Sequence, residues 1–136
     1  MADKASYVLL ADDDIEDREL LKEIISDLEP GVAIEMVTNG QEAVLYLFNR
    51  LPAELPSLII LDYKMPIMNA ADVLDRLRGD SRFDGIPKAV WSTSGQHEHI
   101  RVCMERGANS YFTKPTSAAD LVLMAKKMLD LRKNNS

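Results

Sequence analysis

Cysteine is almost absent from this sequence: Cys103 is the single example in 136 residues, so no internal disulfide can form. Cys103 falls within a helical pattern, which predicts a buried or half-buried thiol. Long apolar runs are also missing, and none approaches the roughly 18 residues that a membrane span needs. The opening MADKASY lacks the charged and then apolar layout of a secretory signal. We therefore expect a cytoplasmic protein that does not enter a membrane.

The sequence also lacks an excess of positive charge. Lysine and arginine number 16 against 22 acidic residues, for a net charge of −6, which argues against a nucleic-acid partner. The basic residues near the end of the last predicted helix are typical of dipole compensation and solubility. The length suits one domain, 1–136, with a core at about 6–131 and a short frayed tail at 133–136.

Short apolar runs and helical patterns alternate along the chain. The runs predict strands at 7–11, 33–37, 58–61, 88–91 and 110–112. Apolar residues at helical spacing follow each run, including Ile15 and Leu20 in the first helix and Leu51 at the end of the second. A fourth helix is expected at about 97–106, where Gly107 stops it. Asp14, Asn39 and Ser117 have the spacing of helix caps.

Five βα units in this length predict an α/β fold, namely a three-layer, doubly wound, five-stranded parallel sheet of the flavodoxin-like type. Right-handed crossovers would cover both faces of the sheet with helices. The strand order 2-1-3-4-5 fits best because it places strands 1 and 3 side by side at the switch point. Open sheets of this kind place their chemistry at the carboxyl edge there.

Polar residues follow the ends of four predicted strands. Asp12 and Asp13 follow the first, Asp62 the third, Ser92 the fourth and Lys114 the fifth. If the strands are parallel, all these side chains gather at one edge. Adjacent carboxylates repel one another, and a divalent cation removes that penalty. Oxygen ligands favour Mg²⁺ over zinc.

The two histidines contribute nothing to this metal prediction. His97 and His99 are two residues apart and so do not share a helix face. We interpret both as exposed helix residues.

Four segments carry a family resemblance: VLLADD, LIILDYKMP, IPKAVWSTS and GANSYFTKP. Each is weak alone, but in this order on alternating βα units they resemble a response-regulator receiver domain of the stand-alone type in two-component signalling. The resemblance implies that Asp62 is the phosphoacceptor. It also implies that Mg²⁺ is held by Asp13, by Asp12 directly or through water, by Asp62, and by the backbone carbonyl of Lys64.

Three further roles follow from the resemblance. Ser92 would be the hydroxyl that turns inward to a phosphoryl oxygen, and Lys114 the cation that contacts the acceptor and then the phosphoryl group. Tyr111 would be the aromatic switch residue. A cis bond between Lys114 and Pro115 is also implied.

Expected partners are a histidine kinase or a histidine phosphotransfer protein. Output would pass to a downstream protein through the face formed by the fourth helix, fifth strand and fifth helix, and phosphorylation could drive homodimers there. The domain would signal without being an enzyme in its own right.

Some positions depart from the family pattern. Ala70 stands where glycine is usual, and a positive φ there would cost about 1 kcal/mol. Lys64 occupies a variable position beside the site. Strand alternation directs Trp91 away from the site, so it is expected to pack in the core. Arg18, five residues after Asp13, belongs to the resemblance and is interpreted as a solvated helix residue.

Two other functions fit parts of the sequence. Asp12-x-Asp14 mimics the opening of Mg²⁺-dependent phosphatases with an aspartyl intermediate, but Glu16 stands where these have Thr or Val, and no later acidic pair follows. A degenerate receiver that acts as a phosphorylation-independent scaffold is the other alternative.

Overall fold

The computed structural model describes residues 6–133, so most of the predicted frayed tail lies outside the described residues. Five parallel strands in this range form one sheet in the order 2-1-3-4-5, which confirms the predicted architecture. The strands are β1 Tyr7–Ala11, β2 Ala33–Val37, β3 Leu58–Asp62, β4 Lys88–Ser92 and β5 Ser110–Thr113. The helices are α1 Ile15–Leu28, α2 Gly40–Phe48, α3 Ala70–Leu77, α4 His97–Glu105 and α5 Ala118–Asp130. Short 3-10 helices at Pro52–Glu54 and Ser81–Phe83 interrupt two connectors.

Side-chain caps define where four of the helices begin. In each, a side-chain oxygen accepts a hydrogen bond from a backbone N–H in the first turn, which satisfies a donor that has no partner within the helix. These caps are Asp14 for α1, Asn39 for α2, Asn69 for α3 and Ser117 for α5. The caps predicted from spacing are therefore confirmed. Gly107, with φ of 107°, follows α4 as expected.

The sheet divides the apolar core into two layers. Leu9, Ile59 and Val90 pack against α2, α3 and α4, while alternate residues such as Leu10 and Ile60 pack against α1 and α5. All five residues of β3 are buried, as a central strand covered on both faces requires. Cys103 is buried in the first layer, as predicted.

Three apolar residues that the periodicity assigned to helix faces are instead exposed. Ile15 is 63 % exposed and Leu20 48 %, because the buried face of α1 is formed by Leu21 and Ile25. Leu51 is 66 % exposed because α2 ends at Phe48, before the chain could bring Leu51 to the same face. Helical spacing alone therefore predicted too wide a buried face for α1 and too late an end for α2.

Within residues 6–133, no helix combines the length and the apolar character that a membrane span requires.

Candidate functional site

Three carboxylates come together where β1 and β3 end. Ala11 and Leu61 are partners in the parallel register, so Asp12 and Asp62 leave adjacent strands at the same level. Asp12 is fully buried, Asp62 is 6 % exposed and Asp13 is exposed. One oxygen from each of the three lies within 4.8 Å of the others. The predicted gathering of these acids at the carboxyl edge is confirmed.

Lys114 reaches into this cluster from the end of β5. Its Nζ donates to Asp17 Oδ2 at 2.8 Å and to Asp12 Oδ2 at 3.0 Å, and it lies 3.4 Å from Asp62 Oδ1. The Lys114 side chain is only 8 % exposed. Its backbone N–H donates to the carbonyl of Ser92 at 2.7 Å, which fixes the start of the β5–α5 loop against β4. The cation is therefore held between two strands and the first turn of α1.

Trp91 lies beneath the same ammonium. As predicted, this indole is buried in the core, with 2 % exposure. The Lys114 Nζ also lies 4.4 Å from the centroid of its ring, a cation–π contact that strand alternation did not predict. The chain's single tryptophan therefore packs in the core and also contacts the ammonium group of Lys114.

Burial and crowding shift the acid–base behaviour of the cluster. Burial, followed by the negative charge of Asp12, raises the pKa of Asp62 to about 7. Burial also raises the pKa of Asp12. Burial alone would lower the pKa of Lys114, but its hydrogen bond to Asp17 and the charges of Asp62 and Asp12 raise it overall. One lysine therefore does not fully compensate these acids, and an oxygen-binding divalent cation fits the donor set.

Ser92 and Tyr111 both contact Ser94, in the loop that precedes α4. Ser92 is 1 % exposed, and its Oγ accepts a hydrogen bond from the Ser94 N–H at 3.1 Å. The half-buried Tyr111 donates its hydroxyl to the Ser94 carbonyl at 2.8 Å. The two predicted switch residues are therefore linked through one residue of the β4–α4 loop.

Two residues of α1 belong to the site although the sequence interpretation left them out. Arg18 is half-buried, and its Nη1 donates to the Asp12 carbonyl at 2.8 Å, so its assignment as a solvated residue was wrong. Asp17 forms the shortest ion pair of Lys114, at 2.8 Å. Both lie in the first turn of α1, which follows the end of β1. That position could have suggested contact with the site.

His99 was also misjudged from the sequence. It is half-buried, and its ring stacks on Tyr63 with 4.0 Å between centroids and 14° between planes. The exposed His97 agrees with prediction. The spacing of the two histidines could not reveal this contact, because Tyr63 follows β3, a separate element of the fold.

The loop after Asp62 places its backbone strain at an unexpected residue. Ala70 is buried at the first position of α3, and the residue with positive φ is Ile67, at 73°. Asn69 caps α3 directly before Ala70, so a helical φ at Ala70 removes the expected penalty. The implied cis bond between Lys114 and Pro115 is also wrong, since no peptide bond in the described range is cis.

Comparisons with known proteins show the family to which this chain is similar. The family model described as response regulator receiver domain matches residues 8–126. The chain is 28 % identical to the two-component response regulator ARR9 of Arabidopsis thaliana over 98 % of its own length, and it spans only 64 % of that relative. The crystal structure of the phosphorylated cyanobacterial phytochrome response regulator RcpA superposes with a TM-score of 0.85 at 25 % identity, covering 99 % of this chain and 97 % of that one. The Mn²⁺-bound response regulator Rcp1 gives 0.80 at 23 % identity, with 92 % of each chain covered.

Proposed function

Because this chain belongs to the response regulator receiver domain family, we propose that it accepts a phosphoryl group on Asp62 from the phosphohistidine of a histidine kinase or a histidine phosphotransfer protein. The observation that carries the proposal is the placement of the Asp62 carboxylate among Asp12, Asp13 and Lys114. An acceptor carboxylate, two further acids and one buried cation match the needs of phosphoryl transfer, which depends on alignment and charge compensation.

In the proposed reaction, a carboxylate oxygen of Asp62 forms the new bond to phosphorus as the bond from phosphorus to the histidine nitrogen breaks. Asp12, Asp13, Asp62 and the carbonyl of Lys64 would hold Mg²⁺, which when bound offsets the charge of the phosphoryl oxygens. Lys114 offers a second positive charge from 3.4 Å away. Its burial strengthens that interaction because water screens it poorly.

We propose that the phosphoryl group then acts on the β4–α4 loop. The acyl phosphate brings about two negative charges and new acceptor oxygens. Ser92 would turn its hydroxyl to one of these oxygens and so give up the hydrogen bond from the Ser94 N–H. Tyr111 is hydrogen-bonded to the carbonyl of the same Ser94. Movement of Ser94 would therefore release the Tyr111 ring to occupy the space beside β4.

Two surfaces have the character that the proposed partners need. Ile15 and Ile67 are both more than 60 % exposed, and they follow Asp13 and Asp62 along the chain by two and five residues. We propose them as the apolar docking contact for the phosphodonor. Met104 of α4 and Leu123 of α5 are 43 % and 54 % exposed, and β5 is an edge strand of the sheet. We propose that these three elements form the second surface, the α4–β5–α5 face. This second face is the proposed contact for a downstream protein or a second copy of the chain, in the cytoplasm.

Phosphorylation by acetyl phosphate with Mg²⁺ tests the acceptor. We expect the mass of the intact protein to increase by one phosphoryl group, and Asp62→Asn to abolish the gain. Asp14→Asn is the matched control, because it also removes one negative charge, at the exposed residue next to Asp13, and keeps an oxygen to cap α1. Full labelling of Asp62→Asn would refute this acceptor.

Beryllofluoride binding separates the alternatives. Mg²⁺-dependent binding that perturbs Trp91 and the amide of Ser94 would support the proposed switch. Failure to bind would instead favour a phosphorylation-independent scaffold. Continuous hydrolysis of generic phosphoesters would favour the phosphatase, although no second cluster of three metal-binding side chains occurs among residues 6–133.

A further inference from the structure

Lys114 has more carboxylate neighbours than its proposed role requires. Its ammonium has three N–H donors, and the hydrogen bonds to Asp17 and Asp12 use two of them. The acceptor Asp62 is the most distant of the three carboxylates, at 3.4 Å against 2.8 and 3.0 Å. In this arrangement the ammonium is directed toward α1 more than toward the acceptor.

The backbone of α1 fixes Asp17 in this position. Asp14 caps the helix by accepting from the Asp17 N–H at 3.0 Å, so the Asp17 side chain is free to reach Lys114. The Asp17 side chain is 36 % exposed, whereas the Asp12 side chain is fully buried. Asp17 is thus the partner of Lys114 that water can replace.

We propose that Asp17 is a positioning residue that competes with the phosphoryl group for Lys114. When a phosphoryl group occupies Asp62, its oxygens and the Asp17 carboxylate draw the same ammonium in different directions. Asp17 therefore lowers the affinity of the site for a phosphoryl group. It also reduces the fraction of phosphorylated molecules in which Lys114 contacts the phosphoryl oxygens. The inference rests on the proposed function, because it assigns a regulator to the same acceptor site.

The test measures beryllofluoride affinity in the presence of Mg²⁺, followed by the emission of Trp91. This indole is a direct reporter because Lys114 Nζ lies 4.4 Å from its ring centroid. Asp17→Asn keeps the shape of the side chain and removes its charge, so we expect about fivefold tighter binding, the scale of a partly exposed ion pair. The control is Glu16→Gln, which removes an equal charge from the same turn of α1 at an exposed residue.

Three results support the inference together. Asp17→Asn tightens binding while Glu16→Gln does not. The effect of Asp17→Asn disappears in a Lys114→Met background, which a helix-dipole effect would not do. Asp17→Asn also shifts the Trp91 emission of the metal-free protein, because the ammonium is redirected, and Glu16→Gln leaves that emission unchanged.

Other results overturn it in distinguishable ways. The two variants could have equal effects, or the effect of Asp17→Asn could persist without Lys114. Either result would show that Asp17 acts only through its negative charge and not through Lys114, and it would leave the proposed function intact. A wild-type protein that fails to bind beryllofluoride would refute the proposed function, and the inference with it.

Discussion

The imidazole of His99 stacks on the ring of Tyr63, the residue that directly follows Asp62. His99 lies in the first turn of α4, and its Nδ1 is 3.2 Å from the hydroxyl oxygen of Ser94. Ser94 in turn bonds Ser92 through its N–H and Tyr111 through its carbonyl. One set of contacts therefore connects β3, which ends at Asp62, with α4 and β5.

This stack should contribute measurably to stability. We expect His99→Ala to reduce the free energy of unfolding by about 1 kcal/mol, the value of an aromatic pair. Urea denaturation at neutral pH measures the change. His97→Ala is the matched control, because His97 lies two residues away in the same turn and is exposed. Equal losses in the two variants would show that the stack contributes nothing specific.

The pKa of Asp62 predicts how the metal-free protein responds to pH. That pKa is about 7 in the folded protein against 3.8 as the ordinary value, so the folded state holds a proton that the unfolded state releases. The resulting stabilisation is complete below about pH 4 and is lost as pH rises through 7. Asp62→Asn should therefore stabilise the metal-free protein at pH 8 by about 4 kcal/mol, and by progressively less toward pH 4.

Thermal unfolding in EDTA at several pH values checks this trend. Asp27→Asn, at an exposed position of α1, serves as the control and should show no pH-dependent gain. A gain for Asp62→Asn that stays constant from pH 4 to 8 would contradict the assigned protonation.

Lys88 is a buried lysine at the opposite end of the sheet from the site. Its Nζ donates to the carbonyls of Phe83 and Ile86 at 2.6 and 2.8 Å, and burial lowers its pKa. Lys88→Met would leave both carbonyls without this donor and cost about 2 kcal/mol in chemical denaturation. Lys126→Met, at an exposed position of α5, should be nearly neutral. A neutral Lys88→Met would show that water replaces the ammonium.

Ile67 is a β-branched residue in the left-handed region, with φ of 73° and 69 % exposure. Glycine adopts this conformation without a Cβ clash, so Ile67→Gly should stabilise the fold by about 1 kcal/mol in urea denaturation. Ile67→Ala loses most of the exposed side chain but keeps the Cβ, and it should bring little gain. If alanine stabilised as much as glycine, the gain would come from removing exposed apolar surface.

Much of the fold could be predicted because its signals are local. Short apolar runs, caps such as Asn39 and Ser117, and Gly107 act within a few residues, and all appear where the sequence placed them. The acidic cluster could be predicted too, because parallel strands bring their carboxyl ends to one edge. The end of α2 and the exposure of Ile15 could not, since periodicity does not show where neighbouring elements stop covering a face.

The sequence by itself determined the strand order, the helix starts and the identity of the acids around Asp62. Only the tertiary structure decided that Lys114 pairs with Asp17, 97 residues away, and covers Trp91, and that His99 stacks on Tyr63. The physical reason is that a residue's pattern along the chain fixes its own element and face. Which partner a long side chain reaches depends on how separate elements pack, and that information is distributed over the whole core.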